Sequence, residues 1–193
     1  IDDKNSLGGS TIYQNDENIK INNEISSFWL DKKIKELKNK QNLTIKHRTS
    51  VAAYHSYNYL LARENLADHK SLDKRLNKLR QRLWKIRAKK VILATGAIER
   101  PLIFNNNDRP GVMLASSVKK YIDFFGVRCG DKNIIFTNND SAYEAAISLN
   151  KKGIEVVVID IRKNSSSTLV QTTKDAGIKI YWNHTIVNTS GYR

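Results

Sequence analysis

Two carboxylates followed closely by two glycines stand near the beginning of the sequence. Asp2 and Asp3 end a short run that starts with Ile1, and Gly8 and Gly9 follow after a polar turn. At the end of a strand in a dinucleotide-binding domain, a carboxylate accepts hydrogen bonds from the adenosine ribose and repels a 2′-phosphate. Adjacent glycines let the backbone approach a cofactor closely. The group predicts part of a dinucleotide site that follows a buried strand, with an ordinary acidic turn as the alternative.

A second group of small residues follows the most apolar segment of the chain, residues 91–94 (VILA). Four consecutive apolar residues predict a buried strand, and this strand runs into Thr95 and Gly96. Glycine permits a tight turn at this point, and small side chains let the chain pass close to a cofactor. We interpret Ala94, Thr95 and Gly96 as a second part of the same site, with a plain strand of a parallel sheet as the alternative.

A βαβ pattern occupies residues 133–160, where two apolar runs flank a predicted helix. A phosphate-binding unit carries the pattern G-x-G-x-x-G between its first strand and its helix. Thr137, Asn139 and Ala142 occupy the three glycine positions, and alanine is tolerated only at the last one. We expect this unit to keep the fold but to bind a dinucleotide weakly or not at all.

Two carboxylates of this unit are expected to be structural. Asp160 lies where a ribose-binding acid would lie, but without the glycines it is interpreted as a turn residue at the end of a strand. Asp140 precedes a helix that is predicted to begin near Ser141, and it is expected to be the cap or a first-turn acid of that helix.

The remaining reactive side chains predict no further site. Four histidines lack the spacing of metal ligands, and Cys129 has no second thiol with which to form a disulfide. A single cysteine fits a reducing compartment, so we expect a cytoplasmic location. The histidines are His47, His55, His69 and His184.

Several predicted elements position these groups. Residues 24–41 have helical apolar spacing, with Ser26 or Ser27 as the cap, and residues 43–55 alternate as strands do. Residues 57–90 predict a basic hairpin with a mobile tip that ends in a strand over 82–88, and its leucines could instead form a short amphipathic helix. Further helices and strands are predicted in residues 115–125, 134–136, 141–152, 155–160, 169–176 and 178–182.

The positive charge of the chain is concentrated in one region. The net charge is +14, and residues 31–90 hold 18 Lys and Arg against 5 Asp and Glu. Such a stretch fits nucleic acid or an acidic protein partner, but it also fits a solvated surface, which we favour. The sequence shows no RNA-binding signature, and no apolar run reaches the roughly 20 residues of a membrane helix.

These patterns together predict an α/β protein with a partial two-dinucleotide-binding-domain architecture, as in glutathione-reductase-like flavoproteins, incomplete at both ends. Residues 1–103 are predicted to be the C-terminal part of a first dinucleotide-binding domain, with a basic excursion over 54–90. Residues 104–130 form a connector, and residues 131–193 form a second, truncated Rossmann-like unit with a degenerate glycine motif.

The sequence around residues 94–115 resembles the α subunit of heterotetrameric sarcosine oxidases. The resemblance is carried by ATGAIERPL at 94–102 and by NNNDRPGVMLA at 105–115. The segments 54–64, 80–89 and 137–143 resemble the same family, so the resemblance covers nearly the whole chain. Ile98 departs from the family pattern, in which histidine is frequent at this position.

The resemblance implies a function and a set of partners. Members of the family oxidatively demethylate sarcosine to glycine with oxygen, form hydrogen peroxide and transfer the one-carbon unit to tetrahydrofolate. In this family the α subunit binds NAD. The full complex also contains FAD and FMN, and the partners of the α subunit are the β, γ and δ subunits. The resemblance implies an NAD site lined by Asp2, Asp3, Gly8, Gly9, Ser10, Val51, Ala94, Thr95 and Gly96, with Asp3 as the favoured ribose acid.

Other functions remain open at this point. The large subunit of a related opine, proline or other secondary-amine dehydrogenase shares the Ala-Thr-Gly-Ala and Glu-Arg-Pro segments. A basic nucleic-acid-binding protein built on residues 31–90 is a third, non-enzymatic alternative. No catalytic base is evident in the sequence, so the isolated chain is expected to be inactive.

Overall fold

The computed structural model describes residues 1–13 and 19–191 and has two compact units, Ile1–Gly96 and Ala97–Arg193. The α/β class predicted from the sequence is confirmed. Within the described ranges, no helix is long and apolar enough to cross a membrane. The assignment of the two units to dinucleotide-binding domains stays a prediction.

The first unit consists of one long helix and an antiparallel sheet. A 3-10 turn at Gly9–Tyr13 is followed by the short strands β1 (Lys20–Ile21) and β2 (Glu24–Ile25) and by helix α1 (Ser26–Lys38). Strands β3 (Thr49–His55), β4 (Tyr59–Asn65) and β5 (Gln81–Arg87) form an antiparallel sheet in that order. The four-residue helix α2 (Leu72–Arg75) lies in the β4–β5 connection.

The predicted basic hairpin is therefore present as strands β4 and β5, paired from Tyr59 opposite Arg87 to Asn65 opposite Gln81. The strand predicted over 82–88 is confirmed with a shift of one residue. The alternative of an amphipathic helix is realised only as α2. On β4, Leu60 and Ala62 are buried, while the neighbouring residues are partly or fully exposed.

Two predicted strands of the first unit are wrong. Residues 91–104 form no strand, and Ile92 and Leu93 are 88% and 71% exposed instead of buried. Ile1 is also exposed, and residues 1–8 contain no strand. An isolated strand leaves its N–H and C=O groups unpaired, so an apolar run becomes a buried strand only beside a neighbouring strand. Among the described residues, no backbone hydrogen bond joins residues 91–94 to another strand.

The second unit contains a three-stranded parallel sheet covered by helices. Its elements are α3 (Ala115–Asp123), β6 (Lys132–Thr137), α4 (Ala142–Lys151), β7 (Glu155–Asp160), α5 (Thr168–Asp175) and β8 (Lys179–Trp182). The strand order is β6-β7-β8, as expected for consecutive βαβ units. These elements confirm the segments predicted from 115 to 182.

Helix α4 is the centre of this unit. It contacts α3, α5 and β7, and its apolar residues join those of the strands in one buried cluster. Ala145, Ala146 and Leu149 recur on the buried face at helical spacing.

The predicted helix caps are corrected by the structure. Helix α1 has no side-chain cap, and Ser26 is buried with its hydroxyl unpartnered. Asp140 does not cap α4, because its carboxylate binds Arg162 and Ser165 instead. The side chain of Asn139 accepts the hydrogen bond from the backbone N–H of Ser141.

Candidate nucleotide-binding site

The N-terminal segment of the predicted site is held against the residues that lead into β3. The backbone N–H of Asp2 donates to the carbonyl of Lys46 at 2.9 Å, and the N–H of Thr49 donates to the carbonyl of Asp2 at 2.9 Å. The N–H of Arg48 donates to the carbonyl of Lys4 at 2.8 Å. These bonds fix the backbone of the two carboxylates at one end of the antiparallel sheet.

The two carboxylates differ in how much of their hydrogen-bonding capacity is already used. Asp2 Oδ1 accepts a hydrogen bond from the backbone N–H of Lys4 at 2.8 Å, which stabilises the turn. The side chain of Asp3 is 57% exposed and contacts Lys4 Nζ at 3.1 Å. This hydrogen bond and the charge of Asp3 raise the pKa of Lys4. A carboxylate offers about four lone-pair sites, so Asp3 is the better candidate to accept ribose hydroxyls.

The glycine pair serves two different needs. Gly8 has φ of +124°, and a Cβ at this position would lie 2.7 Å from Leu30 Cδ2 and 2.9 Å from Ile12 Cγ1. Gly8 is therefore favoured both by its positive φ and by its packing against α1 and the following turn. Gly9 has φ of +55° and open space around a would-be Cβ. Gly9 and the exposed Ser10 leave room for another molecule to approach the backbone.

The remaining predicted site residues lie elsewhere in the first unit. Val51 is 45% exposed and pairs with Ala62 beside an irregularity in β3. Ala94, Thr95 and Gly96 are exposed, and Gly96 has φ of +69°. In the part of the chain that the structure describes, no hydrogen bond or ion pair joins these three residues to Asp2 or Asp3.

At the carboxyl ends of β6 and β7, the second unit contains a carboxylate whose hydrogen-bond acceptor sites are all used within the chain. Asp160 is 0% exposed, and its carboxylate accepts hydrogen bonds from four donor atoms. Tyr143 Oη donates to Oδ2 at 2.8 Å, and Arg162 donates from its backbone N, Nε and Nη2 at 2.9, 3.0 and 2.7 Å. Arg162 Nη2 also contacts Asp140 Oδ1 at 2.8 Å. Four donors match the number of lone-pair sites on a carboxylate.

The electrostatics of this cluster favour the charged carboxylate. Burial acts to raise the pKa of Asp160, but the hydrogen bonds from Arg162 and Tyr143 outweigh it, and the pKa is held below its ordinary value. Burial and the Asp160 hydrogen bond raise the pKa of the Tyr143 phenol. The sequence identified Asp160 but not its partners. An arginine two residues after the strand is the signal that could have indicated the pair.

The loop between β6 and α4 is closed by its own side chains. The backbone N–H of Asn139 donates to Thr137 Oγ1 at 3.1 Å, and Thr137 Oγ1 donates to the carbonyl of Asn139 at 2.9 Å. Asn139 Oδ1 accepts from both the N–H and the hydroxyl of Ser141, at 3.0 and 2.7 Å. A phosphate at the start of a helix binds such backbone N–H groups, and here two of them are already satisfied.

The distinctive motif block of residues 99–111 makes structural contacts in the second unit. Glu99 Oε2 accepts from the backbone N–H of Ser116 at 2.8 Å, which caps the first turn of α3. Arg109 Nη1 donates to the carbonyl of Gly191 at 2.8 Å. The backbone N–H of Asn105 donates to a carbonyl of the same returning segment, at Val187. Among the described residues, no cluster of three or more His, Cys, Asp or Glu could hold a metal ion.

Comparison with curated proteins places this chain beside sarcosine oxidase α subunits. It is 38% identical over 189 residues to sarcosine oxidase subunit alpha of Corynebacterium sp. strain U-96, and 35% identical to that of strain P-1. Each alignment covers 98% of this chain and 19% of the relative. The subunit from Rhizobium meliloti strain 1021 is 40% identical over 124 residues, or 64% of this chain and 12% of the relative.

The resemblance inferred from the motifs is confirmed by these alignments. The chain spans about a fifth of the length of the Corynebacterium relatives. No protein-family model matches the sequence.

Among solved structures, the chain is similar to L-proline dehydrogenase from P. horikoshii, with a TM-score of 0.61 and 26% identity. The similarity covers 86% of this chain and 31% of the dehydrogenase chain. It agrees with the predicted fold class.

Proposed function

We propose that this chain is a segment of the α subunit of a multi-subunit oxidase that demethylates sarcosine to glycine and forms hydrogen peroxide. The observation that carries the proposal is 38% identity over 98% of the chain to a sarcosine oxidase subunit alpha. Transfer of the one-carbon unit to tetrahydrofolate, and assembly with β, γ and δ subunits, belong to the whole enzyme. The present segment supplies scaffold and part of a nucleotide site.

The first unit is proposed to hold the adenosine half of NAD. Asp3 accepts hydrogen bonds from the ribose hydroxyls, while Gly9 and Ser10 form an open edge. The fit rests on the exposed carboxylate of Asp3 and the free space at Gly9. Asp2 and Gly8 shape the turn, and NAD, when bound, supplies a nicotinamide that accepts hydride. FAD and FMN are proposed for the complete complex.

Val51 and the three residues Ala94, Thr95 and Gly96 complete the proposed NAD site. Their exposed side chains and the positive φ of Gly96 leave their backbone accessible. This second part is carried by the family resemblance rather than by contacts within the chain.

The second unit is proposed to have a structural role without NAD binding. The loop N–H groups of Asn139 and Ser141 are bound by side chains, and all lone-pair sites of Asp160 are occupied. A dinucleotide would have to displace these bonds before it gained any of its own. The carboxylate of Asp140 adds negative charge beside the position of a phosphate.

A secondary-amine dehydrogenase is the alternative function, favoured by the structural similarity to L-proline dehydrogenase. The two functions differ in amine substrate and in electron acceptor. Turnover of the complete enzyme with sarcosine and proline, with oxygen or a redox dye as the acceptor, discriminates between them. Preference for proline and the dye would replace the oxidase proposal.

The isolated chain of residues 1–193 is expected to produce no hydrogen peroxide from sarcosine. No catalytic base is evident in the sequence, and the chain covers 19% of its Corynebacterium relatives. A peroxidase-coupled assay with the purified chain, beside the complete multi-subunit enzyme as the positive control, measures this. Peroxide formation by the chain alone would show that the chemistry resides in this segment.

Replacement Asp3→Ala in the complete subunit is expected to weaken NAD binding by about tenfold to a hundredfold, because charge-assisted hydrogen bonds to the ribose are lost. Calorimetric titration measures the dissociation constant. Asp31→Ala, which removes an exposed carboxylate from α1, is the control and leaves binding unchanged. Loss of binding in Asp160→Asn but not in Asp3→Ala would move the nucleotide to the second unit.

A further inference from the structure

The β4–β5 hairpin exposes a set of leucines that a solvated loop does not need. The set, called here the leucine hairpin, comprises Leu72, Leu76, Leu79 and Leu83, which are between 59% and 66% exposed. Isolated exposed leucines are ordinary, but four within twelve residues form a concentration typical of interaction sites. The hairpin therefore offers apolar area for contact with another surface.

The base of this hairpin is ordered by side-chain contacts. Asp68 accepts from Arg80 Nε at 2.6 Å and from the side-chain amide of Gln81. The backbone N–H groups of Leu66 and Ala67 both donate to the carbonyl of Arg80, at 2.9 and 3.1 Å. The connection is thus anchored to the sheet, so the exposed leucines are presented from a fixed base.

The charge of the hairpin selects the kind of partner. Its part-buried acids are already used, because Asp68 binds Arg80 and Glu64 binds Arg82 and the indole of Trp84. In the described part of the chain, four exposed lysines of the hairpin form no ion pair: Lys70, Lys74, Lys78 and Lys85. Unpaired cations beside apolar side chains complement an acidic surface that also carries apolar groups.

We infer that the leucine hairpin docks an acidic, partly apolar surface of a different subunit of the enzyme; this inference rests on the proposed function. The exposed leucines favour a protein over nucleic acid, because phosphate contacts need cations but do not need aliphatic side chains. A second copy of this chain is disfavoured, because the two hairpins would carry charge of the same sign.

The test uses the complete α subunit and its purified partner subunits, with assembly measured by analytical ultracentrifugation. Leu76→Glu with Leu79→Glu, and separately Lys74→Glu with Lys78→Glu, are expected to weaken assembly roughly tenfold or more. The control is Lys38→Glu with Lys40→Glu, which makes the same charge change on exposed residues at the end of α1. The control is expected to assemble as the unmodified subunit does.

Distinct results overturn the inference and the proposed function. Equal assembly of unmodified and hairpin-variant subunits overturns the docking site alone. Failure of the unmodified subunit to assemble with any partner overturns the proposed multi-subunit function and the docking site with it. Circular dichroism of each variant excludes misfolding as the cause of lost assembly.

Two further measurements exclude other occupants. Amide exchange of residues 71–79 should become slower when the partners are added than it is in the α subunit alone; exchange that is already slow and that the partners do not change would mean that its own chain covers the hairpin. A duplex DNA probe should bind weakly and without preference for the unmodified hairpin. Tight, salt-dependent DNA binding that the lysine variant loses would replace the protein partner with nucleic acid.

Discussion

Asp160→Ala is expected to destabilise the second unit by about 3–5 kcal/mol, because it removes the buried carboxylate that binds Arg162 and leaves this part-buried guanidinium only its contact with Asp140. Tyr143 is completely buried and would also lose its hydrogen-bond acceptor. Amide exchange of β7 measures the change, since it reports the second unit separately from the first. Asp175→Ala, which removes an exposed carboxylate bonded to Gln171, is the control and should cost far less.

Two additional observations test the cause of this loss. Tyr143→Phe keeps the ring but removes one hydrogen bond to a charged acceptor, so it is expected to cost about 1–3 kcal/mol. A cost of Asp160→Ala no larger than that of Asp175→Ala would contradict the account, because it would mean that the cluster contributes nothing to stability.

The same cluster predicts how stability depends on pH. The pKa of Asp160 is lower in the folded chain than its unfolded value of about 3.9, and the hydrogen bond from Arg162 lowers the pKa of Asp140 in the same way. At pH values between the folded and the unfolded pKa of these carboxylates, the folded state therefore binds fewer protons than the unfolded state. The stability contributed by the cluster is present above the unfolded pKa and is lost as pH falls through the folded pKa. Asp160→Asn should flatten this part of the stability curve.

Gly8→Ala is expected to destabilise the first unit by about 2–4 kcal/mol, from an unfavourable positive φ and from overpacking against Leu30 and Ile12. The close approaches of 2.7 and 2.9 Å to a would-be Cβ are the structural cause. Gly9→Ala is the matched control, because it has positive φ but open space, and it should cost about 1–2 kcal/mol. Denaturant unfolding of the chain measures both changes.

This comparison also separates packing from cofactor binding. If both variants lowered the free energy of unfolding by the same amount, packing against α1 would not explain why position 8 is a glycine. In the complete subunit, Gly9→Ala should weaken NAD binding even where the protein remains folded, because a methyl group would occupy the open space at Gly9. Gly8→Ala should weaken NAD binding only to the extent that it unfolds the first unit. This difference would support Gly9 as part of the NAD site.

Local patterns in the sequence located most of the second unit. The apolar run of β7 and the periodic alanines of α4 carry their own signal, because each buries a face whose spacing follows the geometry of strand or helix. Strand β7 has the predicted bounds, and α4 differs from its prediction by one residue at each end. The prediction that the loop between β6 and α4 lacks phosphate-binding glycines likewise required only the identities of Thr137 and Asn139.

Local sequence patterns did not predict the helix caps correctly. Asp140 has the chemistry of a cap, yet Arg162 and Ser165, more than twenty residues away, bind its carboxylate, and the side chain of the N-cap residue Ser141 makes no capping hydrogen bond to α4. A short polar side chain has several local and distant partners of similar energy, so its sequence position does not determine which one it binds.

The sequence by itself determined the α/β class, the elements of the second unit and the resemblance to sarcosine oxidase α subunits, because these depend on residue type and short spacing. Tertiary structure decided that residues 92–94 are exposed and that Asp160 is buried with Arg162 and Tyr143. A strand needs a neighbouring strand, which residues distant in the chain must supply. A buried carboxylate needs donors. Arg162 lies only two residues from Asp160, but Tyr143 comes from α4, and the burial of this cluster depends on the complete fold.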